Sequence, residues 1–216
     1  MSDLTTLNDI DLAALLCSRV CHDVISPVGA IANGLEVLDD EDDASMKEIA
    51  MDLVRRSAQQ ASAKLQFCRI AFGAAGSAGS HLDLNDAGEV AKNFIGDEKI
   101  SLSWETPNET REKTQVKLLL NLLLLATTTI PRGGQITVKL VGDDISVRST
   151  GEGAKVPEKT IAFMNDPSDD SEMDARLVQV YYTMRLAQSG NYSLMISQDG
   201  ADIVIKAEPA AASAAA

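Results

Sequence analysis

Apolar residues recur at Leu12, Leu16, Val20, Val24, Ile31, Leu35 and Leu38. Steps of three, four and seven trace the buried stripe of an amphipathic helix. The pattern predicts a helix from Asn8 or Asp9, either of which can cap it, to about Leu38. Residues 1–8 are expected to fray. The acidic run Asp39 to Asp43 repels itself and reads as an exposed turn, part of it favouring the start of the next helix. That helix is expected over Ala44 to Phe72, with a weaker stripe rich in small residues such as Ala50, Ala61 and Ser57. Small residues let a partner helix come close, so the pair reads as an antiparallel hairpin. A lone hairpin leaves an apolar flank in water. Either a second copy covers it, making a four-helix bundle on a two-fold axis, or the rest of the chain folds back over it. The second copy is the expectation.

After the Gly/Ala/Ser linker at 73–79 the pattern alternates. Strands are predicted at Lys99–Trp104, with Ile100, Leu102 and Trp104 on one face, at Gly134–Val141, Ile145–Ser149, Tyr192–Ser197 and Ala201–Ala207. Gly142-Asp143-Asp144 and Asp199-Gly200 supply the turns. Helices are predicted at Asn85–Phe94, capped by Asn85 or Asp86, at Glu112–Thr128, nearly buried from Val116 to Ala126, at 156–166, and at Met173–Gln188, closed by Gly190. The sum is an α+β chain: a helical hairpin over 1–74, an α/β sandwich over 81–208 with about five strands and helices on one face, and a disordered tail over 209–216.

Composition narrows the picture. The 216 residues carry a formal charge of −13, from 32 acidic and 19 basic side chains, which argues against binding to a nucleic-acid backbone. Apolar residues make up 45 % and aromatic ones 4 %, so the core is aliphatic. The first fifteen residues hold Asp3, Asp9 and Asp11 and no Lys or Arg, the reverse of a secretory leader. The most apolar run, KLLLNLLLLATTTIP, is too short to cross a bilayer. A cytoplasmic protein without membrane contact is expected. Cys17, Cys21 and Cys68 are odd in number and suggest no disulfide framework. A zinc site from these three and His22 lacks the usual short Cys-x-x-Cys spacing, and small buried hydrophobes are the simpler expectation.

At about 100° per residue, His22 falls away from the apolar stripe, on a face with Ser18, Ser26, Gly29 and Asn33. The imidazole is expected in solvent among small neighbours, where another protein can approach. By itself an exposed helical histidine is commonly just a surface residue. Asp23 beside it, and Pro27 five residues on, make the place unusual. Proline costs a helix interior about 3 kcal/mol and frees a backbone carbonyl.

His22-Asp23-Val24-Ile25-Ser26-Pro27-Val28 resembles the H-box of two-component histidine kinases, His-Glu/Asp-Leu-Arg-Thr-Pro-Leu. Over most of its length the chain resembles alphaproteobacterial histidine phosphotransferases, which join a kinase-like dimerisation hairpin to a degenerate ATPase-like domain. The degeneracy is visible here. The Bergerat-type N-box, Asn-x-x-x-Asn, is represented by Asn121 with Leu125 at the second position. The G1-box, Asp-x-Gly-x-Gly, has become Ser149-Thr150-Gly151-Glu152-Gly153. The Gly-rich segment before the last long helix is replaced by the acidic, glycine-free stretch from Ser168 to Asp174. An acidic rim opposes triphosphate binding.

The resemblance implies that His22 takes a phosphoryl group from a receiver-domain aspartate and passes it to the aspartate of a downstream response regulator. It implies no bound cofactor and no use of ATP, with Mg²⁺ brought by the receiver. Its partners would be a second copy, the receiver domain of a hybrid histidine kinase upstream, and response-regulator receivers downstream. Asp23 would orient the ring or accept its proton; the plainer alternative is helix solvation. Arg19 would pair with Asp23 or contact the phosphoryl group. Ile25 and Ser26 replace the family's Arg and Thr, making an apolar docking contact at Ile25, and Pro27 and Gly29 shape the same surface. Arg176, with Arg185, Lys155 and Lys159, would either meet an acidic partner or form a solvated face. His81, beside the linker, is not expected to be a second acceptor. The alternative function is a docking or phosphatase protein that holds no stable phosphohistidine.

Overall fold

The computed structural model describes residues 4–40, 42–73, 81–96, 99–168 and 173–210. The core of the expected linker, part of the acidic stretch before the last long helix, Glu41, and the tail from residue 211 lie outside the described residues.

Helix α1 (Asp9–Asp40) and helix α2 (Ala44–Ala71) pack antiparallel along their length. They approach closely at Gly34, where a Cβ would stand 2.7 Å from Val54 Cγ2 and 3.3 Å from the Ala50 carbonyl oxygen. Asn8 Oδ1 accepts from the Asp11 N–H at 2.9 Å and starts α1. Asp43 caps α2, accepting from the N–H groups of Ser45 and Met46. The predicted stripe is part-buried except at Leu35, which is 48 % exposed, and its first member, Leu12, packs on the core of the sandwich. By length and composition α1 is the described helix that could cross a membrane, whereas the apolar run singled out in the sequence is core. Arg19, His22 and Asp23 interrupt α1 midway with polar groups.

The rest of the chain runs β1 (His81–Asp83), α3 (Leu84–Ile95), β2 (Ile100–Glu105), β3 (Thr110–Glu112), α4 (Lys113–Thr129), β4 (Gly134–Val141), β5 (Asp144–Thr150), α5 (Glu158–Asn165), α6 (Leu177–Ser189), β6 (Tyr192–Asp199) and β7 (Asp202–Pro209). The five expected strands form one sheet in the order β2-β4-β5-β7-β6, parallel only between β2 and β4. Strands β1 and β3 make a separate antiparallel pair. At three residues each they are too short to show an alternation in sequence.

One sheet face is apolar: Ile136, Val138, Ile145, Val147, Ile203 and Ile205 are buried. Against it lies α4, where every residue from Leu118 to Ala126 is buried. The other face is polar, with Arg148 holding Asp199 at 2.6 Å and Asp202 at 2.8 Å.

Five local expectations are corrected. The expected disordered tail does not begin at 209: Pro209 ends β7 opposite Tyr192, and the Ala210 N–H donates to the Asn191 carbonyl at 2.8 Å. Residues 4–8 do not fray: Leu4 and Leu7 pack on the core, the Thr5 N–H donates to the Pro167 carbonyl at 2.8 Å, and the Leu7 N–H to Tyr181 Oη at 3.3 Å. Helix α3 is capped by Asp83, not Asn85 or Asp86. Helix α6 starts later than predicted, because Asp174 accepts from the Arg176 and Leu177 N–H groups and fixes its first turn there. Gly190 keeps a negative φ of −89°, and the left-handed residue after α6 is Asn191, at φ 57°; Asn tolerates that region through its short polar side chain.

The hairpin is also seated on the sandwich. Phe67 and Ala71 of α2 are fully buried in the common core, with Phe67 stacked on Phe94 at 4.1 Å. The far half of the hairpin still exposes Leu35, Met46, Ile49 and Leu53.

Gly88 tests the packing under the single tryptophan. A Cβ there would lie 2.7 Å from two indole atoms of Trp104, whose Nε1–H donates to the Leu84 carbonyl at 3.1 Å. Gly88→Ala is expected to change the intrinsic fluorescence and to cost about 1–3 kcal/mol in denaturant unfolding, as overpacking does; an unchanged spectrum with full stability would refute this packing.

Candidate functional site

His22 occupies the middle of α1 on the side turned from α2, and its side chain is 67 % exposed. The next residue points the other way. Asp23 is only 16 % exposed and lies beside α2, as does Arg19 one turn earlier. Arg19 Nε donates to Asp23 Oδ2 at 3.1 Å, while Asp23 Oδ1 stands 3.3 Å from His22 Nδ1. The carboxylate thus bridges a guanidinium and the ring. With Nδ1 directed at a carboxylate, the tautomer bearing hydrogen there is favoured and Nε2 keeps its lone pair facing solvent.

Lys64 of α2 completes the group. Its Nζ donates to the Asp23 main-chain carbonyl at 2.8 Å. This is the carbonyl to which residue 27 would donate in a regular helix, and Pro27 has no N–H to give. Helix α1 nevertheless runs unbroken past Pro27, which is buried. One turn on from Lys64, Cys68 is buried too, and its thiol is pushed up to about 11, first by burial and then by the Asp23 carboxylate.

Around the ring the surface is open. Ser26 and Gly29 are exposed, and nothing lies within 4 Å of a Cβ built at Gly29. Ile25 is 70 % exposed, with Val28 nearby also exposed. Cys17 and Cys21 are exposed on α1, contrary to the expectation that all three cysteines pack as small hydrophobes; only Cys68 does. No cluster of three metal-ligating side chains occurs among the described residues. Arg176 is exposed at the start of α6, and among the described residues no hydrogen bond or ion pair joins it to the His22 group. Arg185, Lys155 and Lys159 are exposed as well.

The positions resembling a nucleotide site are filled by packing. Asn121 is fully buried: its Nδ2 donates to the Ala71 carbonyl at 3.0 Å and to the Lys117 carbonyl at 2.7 Å, and its Oδ1 accepts from Gln179 Nε2 at 2.7 Å. Ser149 is fully buried and donates to the Ala126 carbonyl at 3.2 Å. Leu125 is buried. Gly151 sits so close to Gly133 that a Cβ would lie 2.5 Å from that residue's carbonyl oxygen. Lys117 Nζ donates to the Gly73 carbonyl at 2.9 Å and lies over the Tyr182 ring. Asn121 and Lys117 therefore tie the end of α2 to α4. An open polar depression of about 570 Å³, lined by His81, Glu109, Arg111, Asp143 and Tyr192 among others, shares no residue with the His22 group.

Sequence reasoning missed Lys64 and the clamping role of Asn121. Pro27 signalled that the residue 23 carbonyl needed a donor. Choosing Lys64 among the basic residues of α2 required the register of the hairpin, set by the contact at Gly34.

The family described as histidine phosphotransferase C-terminal domain matches residues 84–202. Protein phosphotransferase ChpT of Brucella abortus (strain 2308) is 46 % identical over 212 residues, which is 96 % of this chain and 100 % of that protein. A solved structure of a bacterial phosphotransferase superposes with a TM-score of 0.86 at 43 % identity, covering 95 % of this chain and 100 % of that one.

Cys68 gives the site a pH signature. Because the folded thiol holds its proton above the ordinary value of 9.0, toward about 11, the folded state binds more protons than the unfolded one in that window. Stability is expected to fall as pH rises from 9.0 toward about 11. Cys68→Ala should flatten that part of the stability-against-pH curve, and an unaltered curve would contradict the burial.

Proposed function

The chain belongs to the histidine phosphotransferase family that includes ChpT, and on that premise we propose that His22 is its phosphoryl acceptor and donor. The observation that carries this is an exposed imidazole whose Nδ1 is turned to a half-buried carboxylate. Nε2 is then the nucleophile. Its lone pair forms the N–P bond as the bond from phosphorus to the receiver's aspartyl oxygen breaks, and the carboxylate leaves with that electron pair. The Nδ1 hydrogen stays shared with Asp23, which balances the positive charge growing on the ring. In the second step the aspartate of another receiver attacks the same phosphorus and Nε2 departs. The chain's own task is to place the ring for in-line transfer and to compensate charge. Arg19 contributes by holding Asp23.

The Mg²⁺ for transfer comes with the receiver in this reading. ATP has no part in it: Asn121 and Ser149 are spent on internal hydrogen bonds. The upstream partner is the receiver domain of a hybrid histidine kinase and the downstream ones are response-regulator receivers, met in the cytoplasm. Ile25, with Val28, offers the apolar contact, while Ser26 and Gly29 keep the approach clear and Pro27 lies buried in the same turn. Arg176 is a second, outlying contact for an acidic partner face. A second copy covers the far half of the hairpin, where Leu35, Met46, Ile49 and Leu53 are exposed, giving a four-helix bundle.

Label transfer tests the reading. A phosphorylated receiver domain mixed with this protein should yield acid-labile, base-stable label on the wild type and none on His22→Ala. Asp23→Asn should slow transfer by about a hundredfold, and Ile25→Asp should weaken receiver binding about tenfold. Receiver binding without label on the wild type would favour a docking or phosphatase protein instead. Ile49→Lys combined with Leu53→Lys should convert a dimer to a monomer in sedimentation; a wild type that sediments as a monomer removes the four-helix bundle.

A further inference from the structure

We propose that Lys64 is a positioning residue for His22: from the second helix it supplies the hydrogen bond that Pro27 withholds from the turn bearing the acceptor. This deepens the phosphotransfer reading and rests on it.

The argument begins with backbone accounting. In an α-helix the N–H of residue 27 donates to the carbonyl of residue 23. Proline offers no N–H, and its ring crowds that carbonyl. A carbonyl so placed beside a packed neighbour helix needs another donor. The Lys64 ammonium provides it at 2.8 Å. The turn from Asp23 to Pro27 is therefore completed by a side chain from α2.

That bond falls on a particular residue. Asp23 is held at its main chain by Lys64 and at its carboxylate by Arg19, and the other carboxylate oxygen faces His22 Nδ1. Three contacts fix Asp23, and through it the ring. Loss of Lys64 would leave the carbonyl without a donor, loosen the turn and let the carboxylate move from Nδ1. Arg19 pairs with the Asp23 carboxylate while Lys64 places a second cation on that residue's carbonyl, so the group carries one more positive than negative charge, the sign that suits an arriving phosphoryl group. Lys64 acts on the ring through Asp23, whose carbonyl it bonds.

The test is a double-mutant cycle between Lys64→Met and Pro27→Ala, with Lys64→Arg as the conservative variant. Alanine at 27 gives the helix its own donor, so Lys64 should matter far less in that background. Two readouts are used: the rate of label transfer from a phosphorylated receiver, and the ¹⁵N shifts of the His22 ring, which report its tautomer and are readily assigned in a chain with 2 histidines. Lys64→Met is expected to slow transfer about tenfold and to reduce the Nδ1–H tautomer. Lys64→Arg should restore most of both, and the Pro27→Ala background should shrink the effect of Lys64→Met. Wild-type shifts and rate in Lys64→Met, or an equal effect with and without Pro27, would overturn the proposal. If Lys64→Met unfolds the chain, Pro27→Ala with Lys64→Met must fold; failure of both overturns it as well. If the wild type takes no label, the phosphotransfer reading fails, while the ring shifts still decide the role of Lys64.

Discussion

Helix α4 is buried on every side from Leu118 to Ala126, and that burial sets a strict condition: a polar atom on it must find its partner inside the protein. Asn121 meets the condition by donating to the last carbonyl of α2, that of Ala71, and to the Lys117 carbonyl, and by accepting from the amide of Gln179. Lys117, at the edge of the buried stretch, reaches Gly73. The same helix that packs the sheet thus fixes the foot of the hairpin. The position of His22 relative to the rest of the molecule follows from those few hydrogen bonds and from Phe67, which enters the same core.

This arrangement bears on how the sandwich, whose sequence resembles a degenerate ATPase-like domain, could serve the proposed relay. Leu125, Ser149 and Asn121 put hydrocarbon and internally satisfied polar groups where a nucleotide-binding protein keeps an open polar cleft. The space is spent on anchoring. In the proposed function the phosphoryl group comes from outside, and the surroundings of His22 are compatible with that: an open surface at Gly29, an exposed apolar side chain at Ile25, and a carboxylate turned away from solvent beside the ring.

The hairpin, the five strands and the face of His22 were legible in the sequence, because each rests on a period that burial enforces along one element. What escaped depends on contacts between elements. The exposure of Cys17 and Cys21 depends on how much of the girth of α1 its neighbours cover, which composition does not record. Leu35 obeys the stripe's spacing but lies at its margin, where the helix turns it outward. Residues 4–8 carry too few apolar groups to signal an element, yet Leu4 and Leu7 find the groove beside Tyr181. Asp83 was passed over as a cap because the helix begins one residue sooner than its apolar pattern indicates. Ser149 and Asn121 were recognised by motif, but their hydrogen bonds belong to tertiary packing.

The hairpin is held unevenly: its foot is sunk in the core, and its turn end has only the facing helix for support within one chain. Free energies of local opening should therefore grade along it, lowest near the acidic turn and highest near Phe67. His22 lies toward the guarded end. In the proposed dimer, subunits would separate and re-pair by fraying at the tip while the turn bearing the proposed acceptor stays closed, so that exchange of protomers and retention of the phosphoryl group need not compete.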